Sequence, residues 1–293
     1  MKKLIFGCGY LGARVARLWL DQGAEVTALT RSPQRAEQFS QQGIAPLVGD
    51  LAAPDSLPQL PEADTVLFAV GYDRQSGVPL REVYVEGLRR VLTALPRSVK
   101  RFIYISSTGV YGQNDGGWVD EQAPCLPTRE GGKACLEAEA LLAESDFADR
   151  VIVLRLAGIY GPGRIPRRSD LMAGKPIAAA AEGFLNLIHV EDAARIVLQA
   201  EQLPAGQKTP APRLYLTSDG SPAVRGDYYR YLAELLQAPP PQFVSPDTDS
   251  HAAARAAADK RISNRLLMSE LGISLKYPSY REGLAAIVNE QEN

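Results

Sequence analysis

The stretch that most restricts what this chain can become is KKLIFGCGYLG, residues 2–12. A short apolar run of strand type meets three glycines, Gly7, Gly9 and Gly12, in GxGxxG spacing. Leu11, Val15, Leu18 and Leu20 then recur with helical period, Gly23 is placed to end the helix, and AEVTALTRS reads as the next strand. The pattern predicts a βαβ unit with a glycine-rich loop at its first turn. In that context each glycine has a physical reason. Gly7 permits the tight turn out of the strand. Gly9 lets a pyrophosphate approach the backbone. Gly12 lets the helix pack close on the sheet. The helix N-terminus, with Tyr10 and Leu11 beside it, would turn free N–H groups toward phosphates. A glycine-rich turn without a ligand is the alternative. The strand before the motif and the helix after it argue against that.

The end of the second strand bears on which dinucleotide would bind. A unit made for NAD usually places Asp or Glu there to hold the ribose hydroxyls. This chain has Thr30, Arg31 and Ser32. A carboxylate would repel a 2′-phosphate, a guanidinium would pair with it and a hydroxyl could donate to it. The expectation is NADP, with NAD possible. The alternative for Arg31 is a solvated surface charge.

The rhythm continues down the chain. IAPLVGDL, DTVLFAVG, VKRFIYISS and RVIVLRLAGIY read as strands, and helices are expected over PLREVYVEGLRRVLTALP and GGKACLEAEALLAES. Such alternation predicts an α/β fold with a doubly wound parallel sheet of Rossmann type. After Tyr160 a loop-rich insertion interrupts it, and later helices over RGDYYRYLAELLQ and NRLLMSELG flank the proline-rich APPPQ. The expected division is a dinucleotide-binding domain at 1–160 and a small C-terminal substrate lobe at 161–293, with 186–217 returning to the core. The AAAAE and AAARAAA runs are ordinary helix formers.

Composition removes other classes. The 293 residues carry a net charge of -2 with both signs interspersed, so no nucleic-acid tail is expected. Cys8, Cys125 and Cys135 show no metal spacing, and His189 and His251 are the only histidines. No metal site is expected, and few free thiols fit a reducing, cytoplasmic setting. The apolar run after Lys2 and Lys3 is too short for a signal peptide, and no segment reaches the ~20 apolar residues of a membrane span.

Several stretches then line up in one order: GCGYLG, GDL, FAVG, YISSTGVYG, VLRLAGIYGPGR, LIHVEDAA and YPSYREGL. Together they cover nearly the whole chain. It resembles the extended short-chain dehydrogenase/reductase family, the nucleotide-sugar epimerases and dehydratases, whose glycine pattern is usually GxxGxxG. Gly9 and Gly12 match its last two glycines, and Phe6 stands where the first would be. The resemblance implies that Asp50 and Leu51 lie near an adenine, that Ala69 and Gly71 line the cofactor behind the fourth strand, and that Ser107 is an active-site hydroxyl. It implies a YxxxK motif on the next helix. Lys133 matches its lysine, which holds the nicotinamide ribose, but four residues earlier stands Arg129, and no tyrosine occurs between Tyr111 and Tyr160. The family's tyrosine serves as acid/base with a lowered pKa. An arginine titrates above about 12 and stays charged, so Arg129 cannot replace it as a base. The chain is therefore similar to atypical members of the family with an incomplete catalytic set.

Other residues enter as candidates with bland alternatives. Ser107 and Lys133 are the expected catalytic pair, against a strand-end hydroxyl and an exposed helix lysine. Tyr111 is the nearest phenol and a substitute acid/base, although such a tyrosine more often packs behind a site. Arg164 and Arg168, with Arg167 beside them, are candidates for gripping a phosphate or carboxylate of a small-molecule substrate, against solvated loop charges. His189 and Asp192 read as a local hydrogen-bonded motif, not a proton shuttle. Cys8 reads as a small residue tolerated in the glycine loop. The expected activity is an NADP-dependent, epimerase/dehydratase-like reaction with an altered acid/base set. The alternative is a catalytically silent redox sensor. Apolar residues on more than one face of the helices at 79–95 and 133–144, among them Val83, Leu92, Leu136 and Leu141, leave a homodimer open.

Overall fold

The computed structural model describes residues 1–204, 212–245 and 258–292, and these divide into two compact units. His251 and most of the AAARAAA run lie outside the described residues. The first unit comprises residues 1–107, 130–155 and 194–215. It opens with β1 (Lys2–Phe6), α1 (Gly12–Asp21), β2 (Glu25–Thr30), α2 (Pro33–Gln41), β3 (Ala45–Val48) and β4 (Thr65–Phe68). A π-helical turn at Glu82–Glu86 leads into α3 (Gly87–Ala94), followed by β5 (Arg101–Ser107). After β6 (Trp118–Val119), which belongs to the second unit, come α4 (Glu130–Ala143) and β7 (Val151–Leu156).

The central sheet has seven strands, with Arg213–Thr217 at one edge, then β7, β5, β4, β1, β2 and β3. The pairings of β1 with β2 and β4, of β2 with β3 and of β4 with β5 are parallel. Strands covered on both faces read as unbroken apolar runs, and β4 and β7 are buried throughout. β3, at the edge, is mostly exposed and tolerates Pro46 there. The doubly wound sheet read from the alternation is present. The core includes Leu4, Phe6, Val66, Phe68, Phe102 and Leu142.

Val85, Leu88, Val91, Cys135 and Leu142 are buried, while Leu92 and Leu141 pack against this core. Most of the apolar surface that suggested a dimer is thus covered within the chain. Two buried ionic networks brace the unit. Lys3 bonds to Thr65 and Glu201. Arg155 makes a two-pronged pair with Glu139, whose carboxylate also accepts from Ser106 Oγ at 2.6 Å.

The second unit comprises 108–129, 156–193 and 216–293. Its core gathers Tyr160, Leu171, Leu187, Tyr228, Leu232 and Leu284. Its sheets are short: β6 pairs with Arg261–Ile262, and Gly158–Tyr160 pairs with Leu187–His189. Residues 108–129 fall in this unit, where β6 pairs with residues 261–262. Residues 186–193 also fall in this unit, where Leu187–His189 pairs with Gly158–Tyr160.

Candidate functional site

The loops that leave the carboxyl ends of β1, β2, β3 and β4 surround a cleft of about 930 Å³ in the first unit. Its walls include Gly7, Cys8 and Gly9 after β1, residues 29–32 at the end of β2, residues 49–52 after β3, and Val70, Gly71 and Asp73 after β4. Ligands of open α/β sheets bind at this edge. The space is of the size that takes a sizeable organic ligand.

The glycine loop behaves as its spacing predicts. Gly7 has φ +89°, and a Cβ there would stand 2.4 Å from the Ala69 carbonyl carbon, so a side chain has neither the dihedral nor the room. A Cβ on Gly12 would meet the Gly7 carbonyl oxygen at 2.4 Å, which sets how closely α1 seats on the loop. At Gly9 a Cβ would meet nothing within 4 Å. That open side faces the cleft, which leaves the backbone accessible to a ligand.

The polar wall lies at the end of β2. The Ser32 hydroxyl caps α2 by accepting the Arg35 backbone N–H at 3.2 Å, and Pro33 fills the first helical position. Thr30 Oγ1 accepts from the Ser32 backbone N–H at 3.2 Å. The capped turn brings Arg35 to the cleft, where its guanidinium donates to the Cys8 carbonyl at 3.3 Å. Arg31 also lines the cleft, half-exposed, with its guanidinium 3.6 Å from Asp73. An exposed ion pair of this kind is worth at most about 1 kcal/mol and readily exchanges for a better anion. The walls thus fit a dinucleotide: bare backbone at Gly9, apolar Leu29, Leu51 and Val70, and two guanidiniums beside a hydroxyl.

Of the predicted cofactor residues, Gly7, Gly9, Thr30, Arg31, Ser32, Asp50, Leu51 and Gly71 line this one cleft. Tyr10, Leu11, Gly12, Ala69 and Lys133 do not. Leu11 is buried at the start of α1, and the Tyr10 carbonyl accepts from Arg14. Ala69 instead backs Gly7 from behind. Arg35, Gln34 and Gln38 are cleft residues that the sequence reading missed, because α2 was not expected. The signal was present in Ser32-Pro33, a capping residue followed by a proline at the first helical position.

The catalytic candidates divide between the units. Ser107 ends β5, half-buried. Lys133 sits on the first turn of α4 with its ammonium 2.8 Å from Glu130 Oε1, and both side chains are largely exposed. In the second unit Tyr111 is 2% exposed, enclosed as a packing residue is. Arg129 lies one residue before α4, in non-helical backbone. Arg164 and Arg168 are exposed, and Arg167, at φ +59°, is 3.8 Å from Asp170. The Asp192 carboxylate accepts the backbone N–H groups of Lys276 and Tyr277, each at 2.8 Å, and the His189 ring lies 3.9 Å from that of Tyr277. That pair organises the fold of its unit. Burial pushes the Cys8 thiol up to about 11, which makes it unreactive. Among the described residues no cluster of three or more His, Cys, Asp or Glu could hold a metal, and no helix is long and apolar enough to cross a membrane.

The chain is 32% identical over 288 residues to Protein YeeZ of Escherichia coli (strain K12), covering 95% of this chain and 97% of that one. It superposes on a functionally unknown conserved protein from Silicibacter pomeroyi with a TM-score of 0.80 at 30% identity, covering 100% and 99% of the two chains. The dTDP-glucose 4,6-dehydratase of Bacillus anthracis, solved in complex with NAD, shares the fold at 15% identity, with a TM-score of 0.76 over 100% and 96%. The model of the NAD dependent epimerase/dehydratase family matches residues 4–212. With the glycine loop, the seven-stranded sheet and the cleft at its carboxyl edge, these matches assign the chain to the NAD-dependent epimerase/dehydratase family of extended short-chain dehydrogenases/reductases.

Proposed function

We propose that this protein binds NADP in preference to NAD and acts on a small polar or nucleotide-linked substrate through an altered acid/base set. The observation that carries the cofactor preference is the pair of guanidiniums, Arg31 and Arg35, beside the Ser32 hydroxyl at the end of β2. No carboxylate occupies residues 30–32 to receive ribose hydroxyls. Gly7 and Gly9 would hold the pyrophosphate, and Asp50 and Leu51 the adenine side. A nicotinamide dinucleotide supplies a hydride acceptor or donor when bound. Ser107 would orient a substrate hydroxyl or carbonyl and Lys133 would support the ribose once it leaves Glu130. Relatives of the same fold are solved with UDP-glucose and with NAD, which makes sugar nucleotides the first substrates to try.

One observation favours a second reading, a catalytically silent sensor of cofactor redox state. Lys133 is paired with Glu130, and a permanently charged Arg129 stands where the tyrosine is expected. The test is to bind NADPH, offer sugar nucleotides and small carbonyl compounds, and follow both nicotinamide absorbance and product composition. Product analysis is needed because epimerisation regenerates its cofactor. Turnover of any substrate supports the enzyme. Tight NADPH binding with no product from any of them supports the sensor.

A homodimer through the helices around residues 79–95 and 133–144 remains part of this proposal. A monomer mass in dilute solution scattering would remove it.

A further inference from the structure

The end of β2 has no carboxylate of its own, but one reaches it from the loop after β4. Asp73 Oδ2 stands 3.6 Å from the Arg31 guanidinium, and both residues are half-exposed and line the same cleft. The turn that carries Asp73 also sets its side chain in place. Asp73 Oδ1 accepts the Gln75 backbone N–H at 2.9 Å, while the Asp73 carbonyl accepts from Ser76 Oγ at 2.8 Å and from the Ser76 N–H at 3.2 Å. Next to it, the Tyr72 hydroxyl donates to the Val78 carbonyl at 2.9 Å, and its ring meets that of Tyr84 edge-on with centroids 6.4 Å apart. One carboxylate oxygen thus serves the turn and the other faces the guanidinium.

A guanidinium pairs best with one planar or tetrahedral oxyanion at a time, through two parallel N–H bonds. A phosphate that takes Arg31 in this way draws it from Asp73. The same phosphate, seated beside the Asp73 carboxylate, meets a like charge. Both effects act against a 2′-phosphate. Neither acts against a 2′-hydroxyl, which can donate to a carboxylate. At ordinary salt the field of an exposed carboxylate fades within about 10 Å, so the discrimination concerns groups bound at this end of the cleft.

We propose that Asp73 is a specificity-determining residue that competes with the 2′-phosphate of NADP for Arg31 and so limits how strongly the cleft favours NADP over NAD. Naming the anion as that phosphate rests on the cofactor reading above. Asp73 then has the opposite effect to Arg31 and Arg35: they attract the phosphate, and it holds the preference down.

Calorimetric titration with NADP and with NAD, at fixed ionic strength, compares wild type, Asp73→Asn, Arg31→Ala and Arg31→Ala/Asp73→Asn. Asparagine keeps an oxygen for the Gln75 N–H, so the turn should persist. Asp73→Asn should bind NADP about three-fold or more tightly than wild type, the modest gain that freeing an exposed ion pair can give. NAD should not gain. In the Arg31→Ala background the same substitution should give a smaller NADP gain, because only the like-charge effect is left to remove. An unchanged ratio of NADP to NAD affinity in Asp73→Asn overturns the proposal. So does a gain shared equally by both cofactors, or an NADP gain of the same size without Arg31. A wild-type preference for NADP with an unchanged ratio in Asp73→Asn ends this role for Asp73 and leaves the cofactor reading standing. Equal binding of both cofactors by wild type, with a preference appearing in Asp73→Asn, supports the competition and removes the wild-type preference.

Discussion

The Ser32 hydroxyl accepts the Arg35 backbone N–H at 3.2 Å, so the residue that closes the cleft's polar wall also starts the helix that brings Arg35 to it. Ser32→Ala removes the cap and should cost about 1 kcal/mol. It should also weaken NADP several-fold by loosening the first turn of α2. Ser32→Asp keeps the cap but sets a carboxylate beside the expected 2′-phosphate. Its stability should stay near wild type while NADP affinity falls more than NAD affinity. Urea unfolding and cofactor titration read the two effects. Equal losses for both cofactors in Ser32→Asp would contradict the assigned position of the phosphate.

Gly7 and Gly9 should separate folding from binding. Gly7→Ala forces a Cβ onto the Ala69 backbone at a left-handed φ and should destabilise by at least about 2 kcal/mol. Gly9→Ala meets open space, so its stability should change by no more than about 0.5 kcal/mol. Its NADP affinity should fall about ten-fold or more, because the methyl enters the ligand's space. Gly9→Ala binding NADP like wild type would mean that the ligand does not lie against this loop.

Asp219 links stability to pH in the second unit. Oδ1 accepts the Ser221 N–H, Oδ2 has no partner among the described residues, and burial raises the carboxyl to about 8. The folded state therefore holds a proton that the unfolded chain releases near pH 4. The stability this provides is fully present below about pH 4 and declines as pH rises toward 8. Asp219→Asn should match wild type in acid and exceed it at pH 8. Unfolding curves across that range decide it; parallel pH profiles for the two proteins would show that Asp219 ionises as an ordinary carboxylate.

Arg129→Tyr restores a phenol four residues before Lys133. It should nonetheless gain little NADPH-dependent reduction of aldehydes, ketones or keto-sugars. Residue 129 precedes α4 in non-helical backbone, so a tyrosine there lacks the helical i,i+4 relation to Lys133. A catalytic group must be held to within about 0.5 Å of its working position. Strong turnover in the mutant alone would mean the position is competent after all.

The first unit was largely legible in the sequence because its signals are local. GxGxxG spacing, unbroken apolar strands and helical period each arise from neighbouring residues, and they put Gly7, Gly9, Arg31 and Ser32 at the carboxyl ends of β1 and β2, where they line the cleft. Arg35 escaped through an overlooked cap, not through any lack of signal. Lys260 had no local signal. Its burial follows from the contact of residues 259–263 with 111–119, more than a hundred residues away, and charge in a sequence reads as surface until such a contact is known.

The central claim is that the cleft at the end of β2 is built for a 2′-phosphate. Calorimetric titration of the wild-type protein with NADP and NAD, repeated with Arg31→Ala/Arg35→Ala, tests it most directly. NADP should bind wild type about ten-fold or more tightly than NAD, since each charge-assisted hydrogen bond is worth about 1.5–3 kcal/mol. That preference should vanish in the double variant while NAD affinity holds. NAD binding wild type as tightly as NADP, or a preference untouched by losing both arginines, would contradict the account.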